Sequence, residues 1–218
     1  MERIICILIG YLFGLIQTGY IYGRMNHIDI RKHGSGNAGT TNALRTLGWK
    51  AAVITFVGDC LKCILAVVLT RLLFAEHGNV ELLALYAATG AILGHNYPFY
   101  LNFKGGKGIA STVGLILAIN PLMFLIVAVV FIAILLITQY VSLGSIVIMI
   151  LFVIQVVIFG EQGGFSLDRP ELTEFYVLAV FLAILAIWRH RANIKRLVQG
   201  TENKINVFTI GKKKHKED

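Results

Sequence analysis

The sequence predicts an all-α integral membrane protein of seven transmembrane helices, with its N-terminus outside and its C-terminus in the cytoplasm. First, the 218 residues are 56% hydrophobic and only 15% charged, with mean hydropathy +0.74; soluble domains hold roughly 45–50% apolar residues. Second, the apolar residues fall into separate runs, most of them near membrane length. Third, sixteen of the twenty Lys and Arg residues lie in alternate connections, at 23–50, 101–108 and 189–218. The remaining long connections, 75–81 and 161–174, carry Glu76, Glu81, Glu161, Asp168, Glu171 and Glu174 against a lone Arg169. The positive-inside rule puts the basic side in the cytoplasm. The net charge of +8 is explained by these loops, so no nucleic-acid partner is expected.

In chain order, the first run is Ile4 to Tyr22. It is too long for the apolar region of a signal peptide, no A-x-A site follows it, and Gln17 and Thr18 interrupt its end; it is expected to remain as a span. The others are 51–74, 80–103, 109–119, 122–140, 143–160 and 172–188. A continuous helix over 109–140 would measure about 48 Å against about 30 Å of hydrocarbon, so Asn120-Pro121 is expected to separate two helices. Cys60 and Cys63 have C-x-x-C spacing inside an apolar helix with no second ligand pair, which points to packing. Asp59 and Lys62 share one helical face at lipid depth and are expected to pair.

The polar residues concentrate in four stretches on the basic side. In GHNYPFYLNFKGGKGIAST (94–112), glycines 105, 106 and 108 can turn backbone N–H groups toward an anion, with Lys104 and Lys107 beside the start of the next helix. It is not a nucleotide P-loop, because Gly108 stands where Ser or Thr would hold magnesium. GSGNAGTTN (34–42), with Arg45 soon after, contains a formal G-x-G-x-x-G at 34, 36 and 39. A dinucleotide fold would need a strand before it, and a membrane helix precedes it instead. What remains is a set of small, hydroxyl and amide groups able to bind a phosphate or polyol, with Arg45 as a phosphate clamp. Ser142, with Gly144 and Ser145, follows the fifth run, and His190 and Asn193 sit three apart among Arg189, Arg191, Lys195 and Arg196 after the seventh.

GSGNAGTTNALR at 34–45, GHNYPFYLNFKGGKGIAS at 94–111, VSLGS at 141–145 and WRHRANIKRL at 188–197 resemble the motifs of the bacterial acyl-phosphate:glycerol-3-phosphate acyltransferases, the PlsY family, in order and spacing. The resemblance implies a seven-helix enzyme of the bacterial cytoplasmic membrane with its active site at the cytoplasmic face. It would take acyl phosphate and glycerol 3-phosphate and give 1-acyl-glycerol-3-phosphate, opening phospholipid synthesis. The acidic 161–174 loop and the end, GKKKHKED, depart from the family pattern outside the motifs. The chain is read as an acyltransferase domain over 1–200 and a basic cytoplasmic tail over 201–218, dispensable for turnover.

The expected catalytic residues are Ser35, Arg45, Lys104, Ser142, His190 and Asn193. Gly34, Asn37, Asn42, His95, Gly105, Gly106, Lys107 and Gly108 are expected to bind substrate. Two phosphates must be held, which suits cations recurring beside Gly, Ser and Asn loops. No acyl-enzyme nucleophile stands out. The proton acceptor is either the phosphate of glycerol 3-phosphate, the route the resemblance implies, or His190. The H-x-x-x-x-D pattern of thioester-using acyltransferases is missing, since Tyr100 and Lys195 occupy the fifth positions after His95 and His190. No metal-ligand set stands out, and no cofactor is expected. The expected partners are the bilayer and the enzyme that makes the acyl phosphate. The rival class is a membrane transporter of phosphate esters or organic anions, whose site would lie nearer the bilayer midplane.

Overall fold

A computed structural model describes residues 1–205, which form ten α-helices and two short 3-10 turns among the described residues. The first apolar run breaks into α1 (Glu2–Gly14) and α2 (Thr18–Met25). A 3-10 turn (Ile30–Lys32) and the amphipathic α3 (Thr40–Leu47) lead into α4 (Trp49–Leu73). Helix α5 (Val80–Asn96) is shorter than its apolar run because Pro98 bars continuation and holds Tyr97 out of the helical region. The second 3-10 turn (Phe99–Leu101) follows.

Helices α6 (Ile109–Ile119) and α7 (Pro121–Thr138) are separate, as the 109–140 length argument requires. Asn120 is extended and its side chain accepts from the N–H groups of Leu122 and Met123, capping α7, while Pro121 supplies the first helical residue. Helix α8 (Val141–Glu161) comes next; α9 (Arg169–Arg189) is capped by Asp168, and α10 (Arg191–Val198) follows.

Among the described residues, five stretches are long and apolar enough to cross a bilayer: 2–25 with its break, α4, α7, α8 and α9. Helices α5, of 17 residues, and α6, of 11, are shorter. Leu8, Leu12, Leu65, Val129, Ile137 and Ile184 point outward, as lipid-facing side chains do, while Leu82, Leu115, Ile116, Met149, Phe152 and Phe175 fill the interior.

Helix α1 lies directly on α5. Gly10 and Gly14 face the backbone of Ala87 and Ala91, and Gly90 and Gly94 face that of Ile7 and Tyr11, so a Cβ at any of the four would collide with main chain. Small residues four apart on both helices permit this approach where lipid gives no hydrophobic drive. One end of the bundle is tied by Arg3–Glu174 at 2.6 Å, Arg71–Glu81 at 2.6 Å and Arg169–Glu161 at 2.8 Å. The four motif stretches gather at the other end.

Gly94→Val should force α1 and α5 apart and cost about 1–3 kcal/mol. Gly78→Val, in open space, should stay within about 0.5 kcal/mol. Thermal unfolding in detergent compares them; equal shifts would remove the close α1–α5 contact from the account of stability.

Candidate active site

The motif end encloses a cavity of about 290 Å³. Four helix N-termini reach it: α3 through Gly39, Thr40 and Thr41, α6 through Gly108, Ile109 and Ala110, α8 through Val141 and Ser142, and α10 through His190 and Asn193. Those of α3 and α6 present the positive end of a helix dipole, which favours an anion, whereas α10 begins at His190, where α9 ends.

The loop before α3 is built on Asn42. Its Oδ1 accepts from the N–H of Ser35 at 2.8 Å, and its amide nitrogen donates to the carbonyls of Ile30 at 2.7 Å and His33 at 3.0 Å. Asn42, expected to bind substrate, lines the cavity while these hydrogen bonds hold its own loop. Gly34 is also a fold residue, at φ +59° with its backbone against the Asn42 amide and outside the cavity lining. Ser35, Asn37 and Arg45 do line the cavity. Asn37 accepts from the N–H of Gly39 at 3.1 Å, shaping the start of α3. Burial pushes the Arg45 guanidinium down, Glu202 opposes this and Arg196 adds to it.

The Gly-Gly-Lys-Gly stretch departs from expectation in two respects. The N–H groups of Gly105 and Gly106 donate to the carbonyls of Asn96 and His95, at 3.2 and 3.1 Å, so they close the end of α5 rather than face a ligand. Their own carbonyls accept from Arg189 at 3.2 and 2.7 Å, and the Arg189 guanidinium lies 5.1 Å from the Tyr97 ring centre. Secondly, Lys104 is exposed and outside the lining, whereas Lys107 is in it and donates to Oδ1 of Asn193. Burial pushes Lys107 down to about 8; Glu202 opposes this, while Arg196, Arg189 and Arg45 add to it. Gly108, at φ +84°, starts α6 and lines the cavity.

Ser142, His190 and Asn193 line one cavity, and Ser142 and Asn193 are joined by Glu202, which falls in the expected tail. Oε1 of Glu202 accepts from the Ser142 hydroxyl at 3.1 Å and the Asn193 amide at 2.7 Å, and Oε2 accepts from Arg196 at 2.7 Å. Burial alone would raise the Glu202 carboxyl, but the bonds from Asn193, Arg196 and Ser142 hold it below the ordinary range. Arg45 reaches the carbonyl of Asn203 at 3.5 Å, and the N–H of Ile205 donates to the carbonyl of Gln139 at 2.9 Å. Glu202, Asn203 and Ile205, beyond the expected boundary at Gly200, line the cavity; residues 206–218 of the expected tail lie outside the described residues. The available signal was a carboxylate in a basic segment two residues past Gly200.

His190 is buried, and its Nδ1 donates to the carbonyl of Ala186 at 2.8 Å. Burial, then the charge of Lys107, pushes it down to about 4. At neutral pH the ring is uncharged and Nε2 is its acceptor. His95 and Asp59 also line the cavity, and Nδ1 of His95 is 2.8 Å from the Lys62 ammonium.

One wall is apolar, made by Trp49, Ala52 and Phe56 of α4, Ile109 and Ala110 of α6, Phe131 and Leu135 of α7, and Val141 of α8. It exists because α6 is short. Its Ala110 carbonyl meets Sγ of Cys60 at 3.0 Å, in the middle of α4, so the preceding part of α4 has no α6 beside it.

Comparisons agree with this architecture. A family model described as glycerol-3-phosphate acyltransferase matches residues 4–200. Glycerol-3-phosphate acyltransferases from Thermoanaerobacter sp. (strain X514) and Clostridioides difficile (strain 630) are 41% and 44% identical over 210 and 204 residues. The alignments cover 96% and 93% of this chain and 98% and 95% of those proteins. A crystal structure of PlsY, an integral membrane glycerol 3-phosphate acyltransferase, in its glycerol 3-phosphate form matches with TM-score 0.82 at 30% identity, covering 96% of this chain and 98% of that one. Its lysophosphatidic acid form matches at 0.80.

Lys107 is charged below its titration point and neutral above it. Binding of sulfate, a dianion across this range, should weaken as pH rises through about 8. Calorimetry should find the effect removed by Lys107→Arg and unaltered by Lys104→Ala. A Lys104-dependent limb would reverse the assignment of the two lysines.

Proposed function

We propose a reaction for this chain, which belongs to the PlsY family of glycerol-3-phosphate acyltransferases: it transfers a fatty acyl group from acyl phosphate to the 1-hydroxyl of glycerol 3-phosphate, giving 1-acyl-glycerol-3-phosphate and phosphate. The observation that carries it is the continuity of a cation-lined pocket at four helix N-termini with an apolar slot beside short α6. The pocket suits phosphates, and the slot suits an acyl chain arriving from lipid.

On this reading the chain crosses the bacterial cytoplasmic membrane seven times, N-terminus outside, with the site at the cytoplasmic face. Helix directions support that count. Gly160 of α8 packs on Leu172 and Tyr176 of α9, and Gly144 of α8 packs on Phe131 of α7, both antiparallel, while α1 and α5 run parallel, as alternate crossings should. A transporter is less favoured, because the buried Asp59, Lys62 and His95 are paired with one another.

Arg45, Lys107 and the helix N-termini hold the two phosphates, and Lys104 at the rim contributes only long-range field. Ser35, Asn37, Ser142 and Asn193 place the polar groups of the substrates. The glycerol hydroxyl attacks the acyl carbon, the bond to the phosphate oxygen breaks, and the hydroxyl proton ends on phosphate. His190, pushed down to about 4, is a weaker base than a phosphate monoester dianion, whose second pKa is about 6. On this reading the proton passes to substrate phosphate, and His190 hydrogen-bonds substrate.

Purified protein should form product from acyl phosphate without metal or nucleotide; robust turnover with acyl-CoA and none with acyl phosphate would sink the donor assignment. At saturating glycerol 3-phosphate, His190→Gln should retain measurable turnover. A fall of roughly 10²–10⁴ confined to the saturated rate would make His190 the base.

A chain ending at Gly200 should lose at least about tenfold in kcat/KM, as should Glu202→Ala, because Ser142, Asn193 and Arg196 lose a shared charged partner. Full activity in the folded truncation would return the boundary to Gly200.

A further inference from the structure

At the cavity wall formed in part by Asp59 and His95, Asp59, Lys62 and His95 are 1%, 2% and 3% exposed, so they are interior groups. The Lys62 ammonium lies 2.9 Å from Oδ1 of Asp59 and 2.8 Å from Nδ1 of His95. It also donates to the carbonyls of Ile16 at 2.7 Å and Gly14 at 3.4 Å, in the break between α1 and α2. Oδ1 of Asp59 is 3.6 Å from Nδ1 of His95. A buried ion pair is weak evidence for stability, since apolar residues of like volume often serve as well. Its use is better sought in what it orients.

His95 links this cluster to the Gly-Gly turn. Its carbonyl accepts from the N–H of Gly106 at 3.1 Å and from Nε2 of Gln17 at 3.1 Å. Its ring lies under Gly106, where any Cβ would strike the imidazole. Arg189 holds the carbonyls of the same turn. The next residue is Lys107, whose ammonium reaches Asn193. A continuous line of contacts runs from the helix break through Lys62 and His95 to the cation of the site.

We propose that Asp59, Lys62 and His95 form a positioning unit for Lys107, acting through the Gly105–Gly106 turn. Asp59 fixes the Lys62 ammonium, Lys62 fixes the rotation of the His95 ring, and the ring supports the turn from below. This rests on the reading that Lys107 holds a substrate phosphate.

The test is a double-mutant cycle on glycerol 3-phosphate affinity, measured by calorimetry with full-length protein in detergent. Lys107→Ala should weaken binding about tenfold, the effect of about 1.4 kcal/mol. His95→Asn should weaken wild-type binding comparably, yet add less than about twofold in the Lys107→Ala background. In His95→Asn the alkaline limb of binding should move up from about 8, since a displaced lysine is less buried. Gly106→Ala perturbs the same contact from the loop side and leaves the ion pair intact; it should behave alike, and it carries the test if His95→Asn does not fold. Additive losses, or an unmoved limb in weakened variants, would overturn the positioning unit. Unaltered affinity in Lys107→Ala would instead overturn the phosphate role of Lys107, so the two failures are distinguishable.

Discussion

A helix broken inside a bilayer must pass its freed carbonyls to donors within the protein, because hydrocarbon offers none. Here the principal donor is Lys62, whose ammonium bridges Gly14, Ile16, Asp59 and His95. Gln17 joins Gly14 to Gly94 and His95, and the Tyr100 hydroxyl donates to Leu15 at 2.6 Å. The break, the end of α5 and the turn after it are thus one connected structure. Close approach of α1 to α5 through glycines 10, 14, 90 and 94 is what brings these partners into range.

The short α6 has the complementary effect. By starting beside Cys60, halfway along α4, it puts its N-terminal dipole deep enough to meet that of α3. It also leaves the early part of α4 without an α6 neighbour, so the same truncation creates both an anion pocket and an apolar slot. Glu202 closes the far side, holding Ser142, Asn193 and Arg196 on one carboxylate.

Much of this was legible because hydropathy and charge are local properties. The helix boundary at Asn120-Pro121, the Asp59–Lys62 pair and the gathering of the motif loops at one end follow from spacing alone. What sequence could not convey depends on direction in space. Gly105 and Gly106 have N–H groups free to turn either way, and the ends of α5 took them instead of a ligand. Lys104 and Lys107 are equivalent by composition, but only Lys107 stands against the start of α6 and inside the lining. Asn42 looks like a ligand because amides bind phosphates, yet an amide equally closes a loop. Glu202 was obscured by its basic neighbours.

Charge balance connects the site to the chemistry proposed for it. Arg196 and Glu202 cancel as a pair, leaving Arg45 and Lys107 as the cations of the lining, with helix N-termini such as those of α3 and α6 adding positive potential. Acyl phosphate and glycerol 3-phosphate together bring about −4 when both phosphates are dianionic. In the transfer, the proton leaving the glycerol hydroxyl stays with the phosphates, so substrates and products carry the same total charge. Protonating His190 would instead create an imidazolium in a buried position beside Lys107, the arrangement that already pushes this ring down to about 4. A cationic pocket organised in advance for phosphates works best when the reaction moves the proton among the phosphates and leaves the protein's own charges unchanged.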